Sequence, residues 1–192
     1  MKNTTDTRTA ILDVAQDMIQ RQSISGVSFQ ELANRIGIKK GSMYYHFESK
    51  DSLSITILER AIFDLKATFN RGKTKTPTLQ LDYFFAIFAD FLGVGEKICP
   101  GGAFAGEWEN LSPSVQAKAQ KLIQVQIEGV SKILSQGIEA GEFDSQGQSA
   151  EELARWVISC IQGSLITCRV MGNTKAFDTV VTIVRKYLGL SR

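Results

Sequence analysis

Apolar residues along this chain recur every three or four positions, the spacing of an α-helix with one buried face. The first such stretch covers about residues 6–22, where the apolar stripe consists of Ile11, Val14, Ala15, Met18 and Ile19. Similar stretches follow at about residues 28–36, 39–46, 50–69, 78–93, 103–110, 113–141, 149–171 and 174–189. No run alternates apolar and polar residues as a strand does, and no segment repeats. The pattern therefore predicts an all-α protein of about nine helices.

Two features of this pattern divide the chain. The segment RGKTKTPT at residues 71–78 is polar and contains proline, which is typical of a break between domains. The helix predicted over about residues 78–93 is apolar on nearly every side, and such a helix is buried centrally. We therefore predict an N-terminal three-helix head over residues 1–50, a connecting helix over 50–70, and a larger body over 71–192.

Two short helices joined by a tight turn are predicted between residues 24 and 50. Ser28 and Glu31 form an S-x-x-E capping box, which satisfies free N–H groups where a helix begins. Gly37 ends that helix, at a position that usually needs a positive φ. Cations, hydroxyls and rings then follow within eight positions, namely Lys39, Lys40, Ser42, Tyr44, Tyr45 and His46. Proteins use such a helix pair to lay the second helix in the major groove of DNA.

The charge distribution supports the same function. The formal net charge is +2, and the whole excess lies in residues 1–50, which hold seven Lys or Arg and five Asp or Glu. Between residues 35 and 50, four cations (Arg35, Lys39, Lys40 and Lys50) accompany the single acid Glu48. A solvated charged face is the ordinary interpretation of such a cluster taken alone. Its coincidence with the helix pair instead indicates a phosphate-binding surface.

The segment GIKKGSMYYHFESKDSL resembles the recognition-helix signature of the TetR family of bacterial transcriptional repressors, whose pattern is roughly G-V-S-x-G-x-L-Y-x-H-F-x-x-K-x-x-L. The chain matches this pattern at Gly37, Gly41, Tyr44, His46, Phe47, Lys50 and Leu53. Ile38, Lys39 and Met43 replace the usual Val, Ser and Leu. The upstream residues resemble the family's first helix and supporting helix, and the order of the predicted helices extends the resemblance over the whole chain.

The resemblance implies a homodimeric, ligand-responsive repressor that a small-molecule or electrophilic effector releases from a palindromic double-stranded operator. It implies phosphate contacts for Tyr44 and Lys50, and positions nearest the bases for Lys40, Ser42 and Tyr45. The expected DNA-binding residues are Ser28, Lys39, Lys40, Ser42, Tyr44, Tyr45, His46 and Lys50. The last two helices would pair with their copies in a four-helix bundle, where Ser159, Gly163 and Ser164 would let the backbones approach. The sequence does not separate a repressor from an activator.

Aromatic residues concentrate between positions 83 and 108, and ordinary core packing is one explanation for them. The resemblance implies the other, an apolar cavity in the body where an effector switches DNA affinity. The expected ligand-binding residues are Phe84, Phe88, Phe91, Cys99, Phe104, Trp108 and Trp156. The effector would be a small apolar or electrophilic molecule.

The three cysteines differ in their sequence context. Cys160 and Cys168 lie on the inward stripe of one predicted helix, which indicates buried, inert thiols. Cys99 lies in a Gly-rich loop, so we expect it to be the accessible and most reactive thiol. The segment ICPGGAFAGEWENLSPS also resembles the G-C-x-x-x-x-x-A-x-E-x-x-x-x-x-P pattern of a TetR subgroup, although Ile98 replaces the usual Gly. In some members of that subgroup the cysteine senses electrophiles or oxidants, so Cys99 is either a redox-sensor candidate or a thiol that lines the pocket.

Enzymatic chemistry has little support in the sequence. His46 is the single histidine, which excludes a catalytic triad or a His-based metal site elsewhere in the chain. The segment GVGEKICPGG lacks the Gly-Lys-Ser/Thr ending of a phosphate loop. We therefore predict no catalytic residue, no metal and no cofactor. A helical protein or enzyme that binds an apolar ligand without binding DNA is the alternative interpretation.

The expected cellular compartment follows from the targeting and membrane segments that the sequence lacks. The beginning MKNTTDTRTA is polar and has no apolar signal core, and no stretch has the ~18 uninterrupted apolar residues that a membrane span requires. An odd number of cysteines argues against a disulfide framework. These features predict a reduced, cytoplasmic protein that does not contact a membrane.

Overall fold

The structure is a computed structural model that describes residues 4–93 and 97–190. In that part of the chain there are nine α-helices and no strand, so the all-α prediction is confirmed. The helices are α1 (Thr4–Gln22), α2 (Phe29–Ile36), α3 (Lys40–His46), α4 (Lys50–Gly72), α5 (Pro77–Leu92), α6 (Pro100–Ala105), α7 (Pro113–Glu139), α8 (Ala150–Met171) and α9 (Lys175–Tyr187). None of them combines the length and the apolar character that crossing a bilayer demands.

The helix ends follow local sequence signals. Ser28 Oγ accepts a hydrogen bond from Glu31 N at 3.1 Å, and Gly37 ends α2 with a φ of 75°. The predicted capping box is only half formed, because the carboxylate of Glu31 accepts from Arg35 Nη2 at 3.0 Å. A complete capping box occurs instead at Ser149, where α8 begins.

The short helix predicted over about 103–110 has different bounds in the structure. It begins at Pro100 and ends at Ala105, and a separate 3-10 turn covers Trp108–Asn110. Proline is well suited to the first turn of a helix because its missing N–H would have no partner there. Burial of Ala103 and Phe104 stabilises the helix despite the glycines at its start.

The helices form two compact units. The first unit consists of residues 1–61 and 100–122. In this unit α1 packs against α2 and α6, and α2 packs against α3. Its core side chains include Ile11, Met18, Leu32, Met43 and Leu53, each at most 1% exposed. Residues 100–122 fall within the body that the sequence predicts, yet they cluster with the N-terminal helices.

The second unit consists of residues 62–99 and 123–192. In this unit α8 packs against α9 and α5. Its core contains Phe84 and Phe88 from α5, Val130 and Leu134 from α7, and Ile161 from α8, all at most 2% exposed. The apolar character of α5 is therefore explained by its burial within this unit.

Candidate nucleic-acid interface and ligand site

The surface of α3 is held in place by two buried side chains. Met43 is 0% exposed and Phe47, directly after the helix, is 3% exposed. Because these residues anchor α3 to the core, the remaining side chains of the segment face outward. Those exposed to solvent are Lys39, Lys40, Ser42, Tyr44 and Tyr45.

The two tyrosines of α3 are exposed to different extents. Tyr45 is 79% exposed, whereas Tyr44 is 54% exposed and meets Phe29 edge to face at 5.2 Å between ring centroids. Tyr44 is thereby fixed against α2, and Tyr45 projects farther into solvent beside the half-buried His46. A fixed hydroxyl suits a phosphate contact, and a projecting ring suits a groove.

Not all cations of the predicted phosphate-binding surface are equally available. Arg35 forms an ion pair with Glu31 at 3.0 Å. Lys50 is half-buried, and its Nζ donates to the carbonyl oxygen of Ile24 at 3.0 Å. The exposed lysines of this surface are Lys39 and Lys40, so the positive charge that DNA would meet is concentrated at the beginning of α3.

One further cation lies beside this surface. Arg8, on α1, places its guanidinium 4.8 Å from the centroid of the Phe47 ring, a cation–π contact. No pattern in the sequence indicates this contact, because Arg8 and Phe47 meet only when α1 packs on the helix pair.

The aromatic residues expected to bind a ligand separate into groups. Phe84 packs edge to face on Phe88 at 5.0 Å, and Phe88 packs on Phe91 at 6.0 Å. Trp156 is half-buried on α8 and contacts Tyr187 of α9 at 4.8 Å between ring centroids. Phe104 and Trp108 belong to the first unit rather than the second.

A small polar cluster lies in the second unit. The Sγ of Cys99 is 3.0 Å from both amide atoms of Gln162, and Gln162 Nε2 is 3.4 Å from Oε1 of Gln126. Gln126 is only 4% exposed. Neither glutamine was predicted from the sequence, since a lone Gln in an amphipathic helix carries no distinctive signal. The cluster offers neutral donors and acceptors for one polar group of a ligand.

The expectation that Cys99 is accessible was wrong. Cys99 is 1% exposed, and Pro100 and Gly101 beside it are also buried. Glycine and proline indicated an open loop, but here the segment packs into the fold. Cys168 is buried as predicted and its Sγ accepts from Phe177 N at 3.3 Å, whereas Cys160 is half-buried and burial raises the pKa of its thiol.

Limited alkylation of the native protein should therefore modify Cys160 before Cys99 or Cys168, because a side chain closed to solvent does not meet the reagent. The raised pKa should make this reaction slower than that of an exposed cysteine. Mass spectrometry after brief treatment with the alkylating reagent gives the order in which the three cysteines are modified. Cys160→Ser should leave the native protein unlabelled, and unfolding should expose the remaining thiols. Labelling of Cys99 first would contradict its burial.

Metal chemistry gains no support from the described residues. Over residues 4–93 and 97–190, no three His, Cys, Asp or Glu side chains are grouped closely enough to hold a metal ion.

Two family models match the chain. The model for bacterial regulatory proteins of the tetR family matches residues 11–55, which include α2 and α3. The model for the tetracyclin repressor-like C-terminal domain matches residues 80–184, more than half of the chain.

Individual proteins extend this similarity. The HTH-type transcriptional repressor DhaR of Mycobacterium sp. (strain GP1) is 25% identical over 184 residues, covering 94% of this chain and 91% of that protein. The regulator AcrR of Shigella flexneri is 39% identical over 54 residues, 28% of this chain and 25% of that protein. The crystal structure of a TetR transcriptional regulator from Legionella pneumophila has a TM-score of 0.83 at 26% identity, covering 98% of both chains.

Proposed function

This chain belongs to the TetR family of bacterial regulatory proteins and is a DNA-binding transcriptional regulator, and we propose that it is a dimeric repressor that a small-molecule effector releases from a palindromic operator. The observation that carries the proposal is the α3 surface, where buried Met43 and Phe47 hold exposed lysines and tyrosines outward. Repression is favoured over activation because DhaR, a relative that matches over 94% of this chain, is a repressor.

On this proposal α3 enters the major groove, with Lys40, Ser42 and Tyr45 nearest the base edges. Tyr44, Lys39 and His46 lie beside them, and Ser28 lies at the beginning of α2. Lys50 contacts a phosphate although its Nζ already donates to Ile24 O. An ammonium group has three N–H donors, so one bond to a carbonyl leaves donors for DNA.

Exchanging Lys50 and Tyr45 separately for Ala should separate these two roles. Lys50→Ala should reduce the slope of log K against log salt concentration by about one unit, because it removes one phosphate contact. The preferred DNA site should stay the same. Tyr45→Ala should lower affinity for the preferred site and relax its base preference, with the salt slope unchanged. Titrations of operator and scrambled duplex at several salt concentrations measure both effects.

Lys132→Ala is the matched control for Lys50, because Lys132 is an exposed lysine on α7 outside the proposed interface. Thermal unfolding of each variant checks the fold. A preserved slope together with an altered base preference in Lys50→Ala would refute the phosphate role.

Selection from a random duplex pool, read by sequencing, tests the function as a whole. We expect enrichment of a palindrome, since a two-fold symmetric dimer presents two α3 helices to two half-sites. No enriched sequence, together with no retention on heparin, would instead favour a ligand-binding protein that does not bind DNA.

The effector site is proposed in the second unit, around the Phe84, Phe88 and Phe91 rings and the cluster of Cys99, Gln126 and Gln162. The rings favour an apolar ligand. The amides of buried Gln126 and half-buried Gln162 favour a neutral polar group over a charge, because an unpaired buried charge is costly. Trp156 remains a proposed contact in this unit, whereas Phe104 and Trp108 are left out of the site because they belong to the first unit. An electrophile is the other candidate effector, and because Cys99 is buried it must enter the fold before reacting.

Dimerisation is proposed through α8 and α9. Their solvent-facing side includes large apolar residues, namely Ile166, Val170, Met171, Ile183 and Tyr187. Ser159 and Gly163 are exposed on α8, as the proposal requires. Ser164 is excluded from the contact that we expected for it, because it is 4% exposed and its Oγ donates to Ile161 O within the same helix.

A further inference from the structure

Glu107 connects two parts of the first unit that are far apart in sequence. It lies between α6 and the 3-10 turn, and Ser25 lies in the loop between α1 and α2. Ser25 N donates to Glu107 Oε1 at 3.0 Å, and Ser25 Oγ donates to Glu107 Oε2. Both carboxylate oxygens are therefore occupied by one residue of the α1–α2 loop.

The α1–α2 loop, residues 23–28, is constrained at further points. Lys50 Nζ donates to Ile24 O at 3.0 Å, and Gln22 Nε2 donates to Gly26 O at 3.0 Å. Ser23 has a φ of 69°, a left-handed conformation that is unfavourable for a residue with a Cβ. Such a conformation persists only where surrounding contacts impose it.

The ionisation state of Glu107 strengthens its contact with the α1–α2 loop. Burial would raise the pKa of its carboxyl, but hydrogen bonds from the hydroxyls of Ser23 and Ser25 and from the Ser25 backbone, together with the charge of Lys50, lower it overall. Glu107 is therefore ionised at neutral pH. Hydrogen bonds to an ionised acceptor are stronger than those between neutral groups.

The loop matters for DNA binding because α2 follows it directly. Ser28 caps α2, α2 packs on α3, and the Phe29 ring contacts Tyr44. A shift of the loop would move the beginning of α2, and with it the tyrosine proposed to contact phosphate. Lys50, the other proposed phosphate contact, is attached to the same loop through Ile24.

We infer that Glu107 is a positioning residue for operator binding, which holds the α1–α2 loop through Ser25 and thereby places α2, Tyr44 and Lys50 for contact with DNA. The inference rests on the proposed interface. Glu107 itself contacts no base or phosphate in this scheme. Its negative charge acts on Lys50, which is proposed to contact a phosphate, so its electrostatic effect and its positioning effect on DNA binding have opposite signs.

Glu107→Gln separates these two effects. The amide keeps the shape of the side chain but offers an NH2 group to one of the Ser25 donors, so at least one bond is lost. We expect operator affinity to fall by roughly tenfold, the loss of about one charge-assisted hydrogen bond. If Glu107 acted only as a nearby negative charge, its removal would raise the affinity.

Glu48→Gln is the control with the same change in charge. Glu48 is exposed just after α3, and its substitution should raise the affinity or leave it unchanged. Thermal unfolding should show that all variants remain folded at the temperature of the binding assay. The wild-type protein must bind the selected operator in the same assay, and failure there would refute the proposed function rather than this inference.

Ser25→Ala gives a second test that does not depend on the stability of Glu107→Gln. Ser25 is exposed, and its substitution removes the hydroxyl while leaving the backbone N–H bond. We expect a smaller loss of affinity, and the double variant should lose less than the sum of the two single variants, because both changes break one contact. Unchanged affinity in Glu107→Gln, or fully additive losses, would overturn the inference.

Discussion

Aspartate in place of Ile166 should make the protein monomeric and lower its affinity for a palindromic operator by about 10²–10⁴-fold. Ile166 is 57% exposed on α8, one helical turn from Val170, which is 78% exposed. Ile183 and Tyr187 are likewise one turn apart and exposed on α9. Isolated exposed apolar residues are common, but several on two packed helices are typical of an interface.

The size of the effect follows from symmetry. A two-fold interface contains every residue twice, so a single substitution introduces two like charges at the contact. An unpaired charge buried in an interface costs several kcal/mol, and the two carboxylates also repel each other. A monomer then binds one half-site, and the loss of the second, effectively intramolecular contact lowers affinity by the 10²–10⁴ that avidity contributes.

Sedimentation at micromolar concentration measures the oligomeric state, and operator titration measures the DNA affinity. Gly163→Asp, on the same exposed side of α8, should have the same effect. Ala117→Asp is the control, since Ala117 is exposed on α7 outside the proposed interface, and it should leave a dimer with normal binding. A wild-type protein that sediments as a monomer would show that the α8–α9 assignment is incorrect.

Phe84→Ala should lower the free energy of unfolding by about 3–5 kcal/mol. Phe84 is 0% exposed, and its ring contacts Phe69 at 6.1 Å, Phe85 at 6.1 Å and Phe88 at 5.0 Å between centroids. Truncation removes apolar burial and leaves a cavity among rings, which cannot collapse without leaving their rotamers. In a chain of this size the melting temperature should fall by roughly 6–20 °C.

Phe63→Ala gives the matched control. Phe63 is 71% exposed on α4, so the same chemical change should alter stability by less than about 0.5 kcal/mol. Chemical denaturation measures the free energy of unfolding of both variants. The protein concentration is held constant because the stability of a dimer depends on it. Equal losses in the two variants would mean that α5 is not the centre of the second unit's core.

The sequence by itself determined the helices of this protein, except for the bounds of α6. Ser28 and Gly37 bound α2 because a hydroxyl cap and a left-handed glycine are local requirements that neighbouring residues cannot replace. The α3 segment was identifiable for a similar reason. Its exposed Lys40 and Tyr45 alternate with buried Met43 and Phe47 within a few positions, so spacing alone separates the two faces.

Only the tertiary structure determined which side chains of these elements are buried and which hydrogen bonds they form. Glycine and proline around Cys99 predicted an open loop, yet the thiol is buried, because burial depends on what packs over a segment and not on its own composition. Lys50 donates to Ile24, and Glu107 accepts from Ser25, a residue 82 positions away. Hydrogen-bond partners across such separations leave no periodic signal in the chain, since they are selected by the packing of α1 against α2 and α6. The grouping of residues 100–122 with the N-terminal helices has the same cause.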